Sequence, residues 1–393
     1  MNTYPQDTYD LLAGALGQNS NRKLQGFLDD VLAVKYNSLD IAGFPMANDM
    51  LLDFTYEQVQ KELKMNCMAT YTDLDSPAIP LSTEGFSLET GKIPRMKMTE
   101  VFNEDKLRKQ LIFNKLYGSS SDEAIAKAVN NLFITLDTLI GGHTNSLTYQ
   151  RHQVVSTGAF TLSATNNPRG IKGITFASHV PGTNKTALAG ENRWWKVLTG
   201  STYSSEGSTC DPKQDLIDMV DAAELKGLTA FHFEIDKLYA KQVVNHSKIK
   251  LAIGYYQNPE AVSDAAATQI TTNLTFERKM QILGELVGAP FTTIDSIVSV
   301  EKTVAGVITR PQFRAFEANK IVLVPNGNIG ETLTVLPIKL DGGTYGYFYG
   351  GKLLLTIDYD YVQKVQGFYT EMTCLVVPNL PQYMWYLTPY ATA

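Results

Sequence analysis

The sequence predicts an α+β fold, in which helices and strands occupy largely different stretches of the chain. Three observations predict it. Apolar residues recur at helical spacing from Ile125 to Ile140, helix and strand signals alternate from Asp211 to Gly330, and strand signals fill the final third. A chain of 393 residues with a hydrophobic fraction of 44% is long enough for two or three domains, or for one elongated subunit with lobes.

Residues 1–64 contain short amphipathic segments. One apolar helical face contains Leu24, Phe27 and Leu28, and the linker over residues 17–21 separates it from the preceding segment. Helices this short are marginal in isolation and need a partner. Two interpretations remain open, an ordinary helical subdomain and an arm laid across an adjacent subunit.

The sequence over residues 65–107 predicts a long, projecting β-hairpin-like segment. Its strand character lies over residues 68–71 and 86–97, with a bend at 90–92. It has too few apolar residues for a core of its own, and an isolated hairpin is marginally stable in water. We therefore expect it to lie on another surface. Its charged side chains are candidates for pairing with a neighbour: Glu84, Glu89, Lys92, Arg95 and Lys97.

A strong helix start follows, with serines at 119–121 as candidate N-caps and acidic residues in the first turn. The pattern predicts a helix that ends at Gly141-Gly142. A second helix is predicted from Ser146 to a cap at Gly158, followed by a strand over residues 159–162.

From Asp211 onward the predicted elements alternate. They are a helix entered at Asp211-Pro212 and ended by Gly227, a strand over 231–235, a helix from Phe276 to Gly288, and strands over 294–300 and 321–325. Further strands are predicted over 335–340, 345–348, 352–358 and 368–377, with glycine pairs as turns.

Patterns for catalysis or metal binding are weak. The five histidines show no paired ligand spacing. They are His143, His152, His179, His232 and His246. No Cys-x-x-Cys motif, nucleophile elbow or phosphate-binding loop is present. Arg193 beside Trp194-Trp195 permits ligand stacking, but a packed aromatic anchor between lobes or subunits is the stronger interpretation. The acidic pairs are interpreted as edges facing water: Asp73 with Asp75, Asp215 with Asp218, and Asp358 with Asp360.

Composition narrows the function classes. The charged fraction of 19% is low beside ~25% in typical soluble domains, and 20 Tyr with 17 Phe favour extensive self-contact. The net charge of −6 provides no basic electrostatic field that would attract nucleic acid.

No apolar run approaches the length of a membrane span and no export signal opens the chain, so we expect neither membrane insertion nor export. The cysteines are expected to be small buried side chains: Cys67, Cys210 and Cys374.

The order of these elements resembles the major capsid proteins of tailed bacteriophages, in particular the lambda-type family with the Hong Kong 97 fold. The stretch from Arg151 to Gly158 is similar to that family's helix-to-strand junction. The stretch from Asp211 to Leu216 is similar to its Asp-Pro motif, and the stretch from Lys320 to Gly330 to its returning strand and turn.

The resemblance implies an N-terminal arm (1–64), an E-loop (65–107), a peripheral domain with a long spine helix (108–210), an axial domain (211–320), and peripheral return strands with a C-terminal tail (321–393). It implies pentamers and hexamers of an icosahedral shell that encloses double-stranded DNA without sequence-specific binding, with no catalysis and no cofactor. Implied partners are further copies, a portal, a scaffold and decoration proteins. The implied location is the virion, assembled in the host cytoplasm, with no membrane.

Two alternatives remain open. An encapsulin-like shell of the same fold would enclose a cargo enzyme instead of DNA. A cytosolic enzyme with a site between two lobes is the alternative from a different class, and it predicts a small oligomer with a polar pocket.

Overall fold

The computed structural model describes residues 42–61, 86–102, 121–178, 180–199, 202–304, 306–338, 344–348, 351–360 and 365–390. The described chain is α+β, as predicted. Its helices are α1 (Ser121–Thr157), α2 (Pro212–Leu225), α3 (Lys237–Val243), α4 (Ser247–Gln257), α5 (Asp264–Thr272) and α6 (Phe276–Val287).

The strands are numbered in chain order. They are β1 (Thr55–Lys61), β2 (Phe86–Lys92), β3 (Arg95–Phe102), β4 (Ala159–Thr161), β5 (Thr175–Ala177), β6 (Lys185–Ala187), β7 (Trp195–Thr199), β8 (Thr202–Glu206), β9 (Phe231–Asp236), β10 (Phe291–Ile294), β11 (Ile297–Ser299), β12 (Lys302–Val304), β13 (Val307–Thr309), β14 (Gln312–Arg314), β15 (Ile321–Pro325), β16 (Gly330–Val335), β17 (Thr344–Phe348), β18 (Leu353–Asp360), β19 (Val365–Pro378) and β20 (Trp385–Thr388).

Two compact units contain these elements. The first takes its described residues from Met1–Tyr56, Thr90–Leu147 and Thr332–Val376, and the second from Glu57–Glu89, Thr148–Glu331 and Val377–Ala393. The predicted five-segment division of the chain follows different boundaries and stays a prediction.

The first unit is built on a sheet in the order β16-β19-β18-β17, with β3 also paired to β19. β19 pairs antiparallel with β18 and with β3. Its Cys374, Leu375 and Val376 are all buried, as expected for a strand that is covered on both faces.

An extended segment of the first unit runs beside β16. Met46 and Leu51 form parallel bridges to Thr332 and Val335, and the Ala47 and Leu51 amides donate to backbone carbonyls of β16 at 3.0 and 2.8 Å. The described end of the predicted helical arm is therefore not helical. Gly43, at φ 80°, supports this extended path. Residues 1–41 lie outside the described chain.

Helix α1 is continuous from Ser121 to Thr157, so the predicted stop at Gly141-Gly142 is wrong. A Cβ at Gly142 would lie 2.0 Å from Met98 Sδ, which shows that the residue admits the Met98 side chain of β3. A helical glycine costs about 1 kcal/mol relative to alanine. Burial of Ile140 and Leu147 in the same helix offsets this cost. The predicted end at Gly158, φ 74°, is confirmed.

The second unit is built on a mixed sheet in the order β10-β9-β15-β20-β6. β9 pairs parallel with β10 and antiparallel with β15, and all residues of β15 are buried. Helices α2, α4 and α6 contribute Leu216, Ile253 and Leu283 to the core that covers the sheet.

Most predicted elements of this unit are confirmed. Asp211 caps α2 by accepting from the Gln214 amide at 3.2 Å, and Gly288 ends α6 in the left-handed region at φ 81°. The single strand predicted over 294–300 is wrong. The chain pairs with β9 up to Ile294 and then leaves the sheet, so that β11 pairs with β14 instead.

Strand boundaries also differ near the C-terminus. The strand predicted over residues 335–340 lies earlier, as β16, and ends at Val335. The strands predicted over 345–348, 352–358 and 368–377 are confirmed as β17, β18 and β19. The bend predicted at 90–92 falls instead at Ile93-Pro94, because proline removes the backbone donor that a continuing ladder needs.

Candidate functional site

The predicted contact residues are only partly described. Leu24, Phe27, Leu28 and Glu84 lie outside the described residues, and Glu89 is described only as backbone in β2. Lys92 is exposed at the end of that strand. The predicted pairing of these side chains with a neighbouring copy stays a prediction.

Arg95 and Lys97 lie on β3 beside Glu371 of β19. Glu371 is directly opposite Lys97 in the ladder. Its carboxylate forms an ion pair with the Arg95 guanidinium and lies 3.7 Å from Lys97 Nζ. Two exposed cations thus share one partly buried carboxylate.

One cluster has the composition of a nucleophilic triad. His246 Nε2 lies 3.7 Å from Cys210 Sγ and 3.7 Å from Glu206 Oε2. The same Nε2 also lies 3.2 Å from the Trp194 carbonyl, and a contact to a carbonyl requires Nε2 to be the donor.

The protonation pattern of this cluster excludes base catalysis by His246 on Cys210. His246 Nδ1 accepts from the Lys248 amide at 3.3 Å, so it is the unprotonated ring nitrogen and caps α4. The Cys210 thiol faces the Gly207 carbonyl at 3.0 Å, and burial raises the pKa of that thiol. A thiol with a raised pKa and no base in reach among the described residues is inert. The cluster is structural.

The tryptophan pair belongs to the same buried region. Trp194 and Trp195 are both buried, and Trp195 contacts Tyr239 edge-on at 5.7 Å. Trp194 Nε1 donates to Asp215 at 2.7 Å, so Asp215, predicted to face water, instead anchors the indole. Burial raises the pKa of Asp215. The predicted packing of the two tryptophans is confirmed, and it lies within the core of the second unit.

A buried ion pair connects α1 to the sheet of the second unit. Arg151 donates to both oxygens of Glu234 on β9, one bond measuring 2.6 Å. His232 Nε2 lies 3.4 Å from the same carboxylate. Burial tends to raise the pKa of Glu234, but the hydrogen bond from His232 and the charge of Arg151 outweigh burial and hold the pKa at about 2. Glu234 is 1% exposed, so the pair is a structural contact that no substrate reaches.

A second charged cluster lies at the end of β9. Arg314 forms an ion pair with Asp236 and donates to Asp295 at 2.8 Å. Lys237 Nζ donates to the other oxygen of Asp295 at 2.6 Å. Asp236 also caps α3 through the Leu238 and Tyr239 amides. These contacts fix the point where the chain leaves the sheet after β10.

An exposed ribbon carries the clearest candidate interaction surface. β12 and β13 form a hairpin, and every residue of these two strands is exposed. Its apolar members Val304, Val307 and Ile308 are 49, 64 and 59% exposed. A cluster of exposed apolar side chains marks a contact site. Sequence reasoning missed it, although β-branched residues on both sides of Gly306, φ 80°, are a hairpin signal.

Within the described residues, no three His, Cys, Asp or Glu side chains are grouped as metal ligands. None of the described helices has the length and hydropathy needed to cross a membrane. Cys210 and Cys374 are buried as predicted, and Cys67 lies outside the described residues.

No family model and no curated protein matches the chain. Its coordinates are similar to a putative capsid protein of a prophage of E. coli CFT073 (TM-score 0.41, 12% identity, 77% of this chain and 79% of that chain). The structure is also similar to the capsid of cyanophage A-1(L), with a TM-score of 0.41 and 11% identity over 88% of this chain and 90% of that chain. A third similar structure is the SrpI encapsulin of Synechococcus elongatus PCC 7942, with a TM-score of 0.34 and 10% identity over 92% of this chain and 98% of that chain.

Proposed function

We propose that this chain is the major capsid protein of a tailed double-stranded DNA phage. Copies associate into pentamers and hexamers, and these close into an icosahedral shell around the packaged DNA. The role is structural and involves no catalysis and no cofactor.

The order of elements carries the proposal. α2, β9, α6 and β15 each lie at their predicted place along the chain, after α1, which covers both stretches that were predicted as separate helices. The resemblance to the lambda-type capsid family rests on this order. The Asp-Pro helix entry at Asp211 and the turn after β15, with Gly327 at φ 88°, have the expected local structure.

The exposed hairpin supports a function in self-assembly. A two-stranded hairpin with three exposed apolar side chains is poorly stable in water and gains stability when another surface covers it. The net charge of −6 suits a shell protein that encloses DNA without binding it tightly.

The predicted contacts and partners belong to this proposal. The arm side chains Leu24, Phe27 and Leu28 pack on an adjacent subunit, and the charged E-loop side chains pair with a neighbour. A portal, a scaffold and decoration proteins are the further partners. The shell forms in the host cytoplasm and becomes the virion capsid.

Electron microscopy tests the proposal directly. We expect the purified protein to form rings of five or six copies, or closed shells, by negative stain and by light scattering. A monodisperse monomer or dimer at all protein and salt concentrations would contradict the proposal and favour the enzyme alternative. Shells that protect DNA from nuclease support a phage, whereas shells that copurify with one enzyme support the encapsulin-like alternative.

A further inference from the structure

A groove lies along helix α6 at the edge of the mixed sheet in the second unit. It measures about 580 Å³ and is lined by apolar side chains that include Phe276, Met280 and Phe291. β10, which supplies Phe291, is the last strand of its sheet on this side among the described residues. An edge strand presents unpaired backbone groups to any strand laid beside it.

The rim of this groove is acidic. Glu277 and Glu285 line it, and no lysine or arginine of the described part of the chain does. Arg278 Nη1 lies 4.0 Å from Glu285 and offsets part of its charge. Glu277 is exposed and has no cation within ion-pair distance among the described residues.

The exposed hairpin of β12 and β13 has the complementary character. Its apolar tip is formed by Val304, Val307 and Ile308. At its base, Glu301 lies 2.5 Å from Arg169 and 3.2 Å from Arg310, and Lys302 is exposed beside them. Three cations against one carboxylate leave a local charge of +2.

We infer that the β12–β13 hairpin of one copy docks in the α6 groove of a second copy. The apolar tip covers Phe276 and Phe291, a hairpin strand lies along the free edge of β10, and Lys302 approaches Glu277. Hairpin and groove are different surfaces, so the contact is head-to-tail, and contacts of this kind generate rings. This inference rests on the proposed function, because it names the contact through which copies of a shell protein associate.

Cysteine cross-linking tests the contact in assembled particles. The pair Gln281→Cys and Ile308→Cys places one thiol on the groove and one on the hairpin. Both native positions are exposed, and Cys67→Ser in the background removes the native thiol outside the described residues. The matched control combines Ile308→Cys with Leu225→Cys, because Leu225 is 81% exposed and does not line the groove.

We expect a non-reducing gel of the oxidised pair to show a ladder of dimers and higher multimers, and the control to show little. Assembled particles of the cysteine pair without a ladder, or with an equal ladder in the control, would overturn the docking inference alone. A faster-migrating monomer would also overturn it, because it shows that the groove holds the hairpin of its own chain. Wild-type protein that forms no rings or shells contradicts the proposed function itself.

Charge reversal gives an independent readout. Glu277→Lys and Lys302→Glu each place like charges at the contact, so we expect each to raise the concentration needed for half-assembly by roughly tenfold. The double variant restores the opposite charges and recovers assembly. Failure of the double variant to recover, with both single variants folded by circular dichroism, would overturn the inference.

Discussion

Glu234 carries a buried charge whose partner, Arg151, is itself almost fully buried. Removing one member of such a pair leaves the other charge without compensation, at a cost of about 3–5 kcal/mol. We therefore expect Glu234→Gln to lower the free energy of unfolding by about 3 kcal/mol in chemical denaturation.

An exposed ion pair provides the control. Lys196 Nζ lies 2.9 Å from Glu191 with both side chains partly in solvent, and such pairs contribute about 0–1 kcal/mol. Lys196→Gln should therefore change the free energy of unfolding by less than about 1 kcal/mol. Equal losses from the two variants would show that burial does not set the cost.

His143 predicts a pH dependence of stability. Burial lowers its pKa to about 4, whereas in the unfolded chain a histidine has its ordinary pKa near ~6.5. Between these values the unfolded state binds the extra proton. The stability due to neutral His143 is therefore present above the unfolded pKa and is lost as the pH falls toward the folded pKa.

We expect the free energy of unfolding to fall as the pH is lowered from about 6.5 to about 5. His152 adds to this slope, because burial first and the charge of Arg151 second lower its pKa to about 4. His143→Gln removes one titrating group and keeps a polar partner for Thr370, whose hydroxyl lies 3.0 Å from His143 Nε2. The slope should become shallower in this variant. An unchanged slope would show that His143 titrates normally.

At the scale of elements, Gly254 sets how closely α4 and α5 approach. A Cβ at this position would lie 2.1 Å from the Ala267 carbonyl oxygen, a backbone atom that cannot rotate away. Alanine gains about 1 kcal/mol in helix propensity, but the overpacking costs about 1–3 kcal/mol.

We expect Gly254→Ala to lower the thermal midpoint, with a net loss of about 1 kcal/mol. Gly182→Ala is the control, because its Cβ would meet nothing within 4 Å. A higher midpoint for Gly254→Ala would show that α5 moves aside without cost.

The sequence predicted elements well where local chemistry determines their ends. Asp211 and Gly288 have capping functions that need no knowledge of the rest of the chain. Gly142 misled the prediction, because glycine favours a helix end locally while here it admits Met98 from a distant strand. Helix α4 was missed because a histidine, His246, caps it.

Interaction sites were harder to predict than elements. Packing of Trp194 was the stronger interpretation of the sequence, and the side chain is buried. The contact of Arg95 with Glu371 joins residues far apart in sequence, and it depends on the register of β3 against β19, which no local pattern determines. The exposure of Ile308 is likewise a property of the folded surface.

At the scale of the whole molecule, assembly should change hydrogen exchange in one segment more than in others. In the free chain, every residue of β12 and β13 is exposed, and their ladder joins Lys302 to Thr309 with no further strand on either side among the described residues. Such a hairpin opens at little cost, so its amides exchange rapidly. A docked hairpin exchanges slowly, because opening then requires breaking the contact with the second copy.

We therefore expect hydrogen–deuterium exchange across residues 302–309 to slow by at least about tenfold between dissociated and assembled protein. Residues 258–263, an exposed loop that carries Val262 at 95% exposure, provide the reference. Because this loop lies outside the proposed contact, its exchange should change little on assembly. Slowing confined to the loop, with the hairpin unaffected, would place the contact between copies elsewhere on the second unit and leave the exposed apolar tip without a partner.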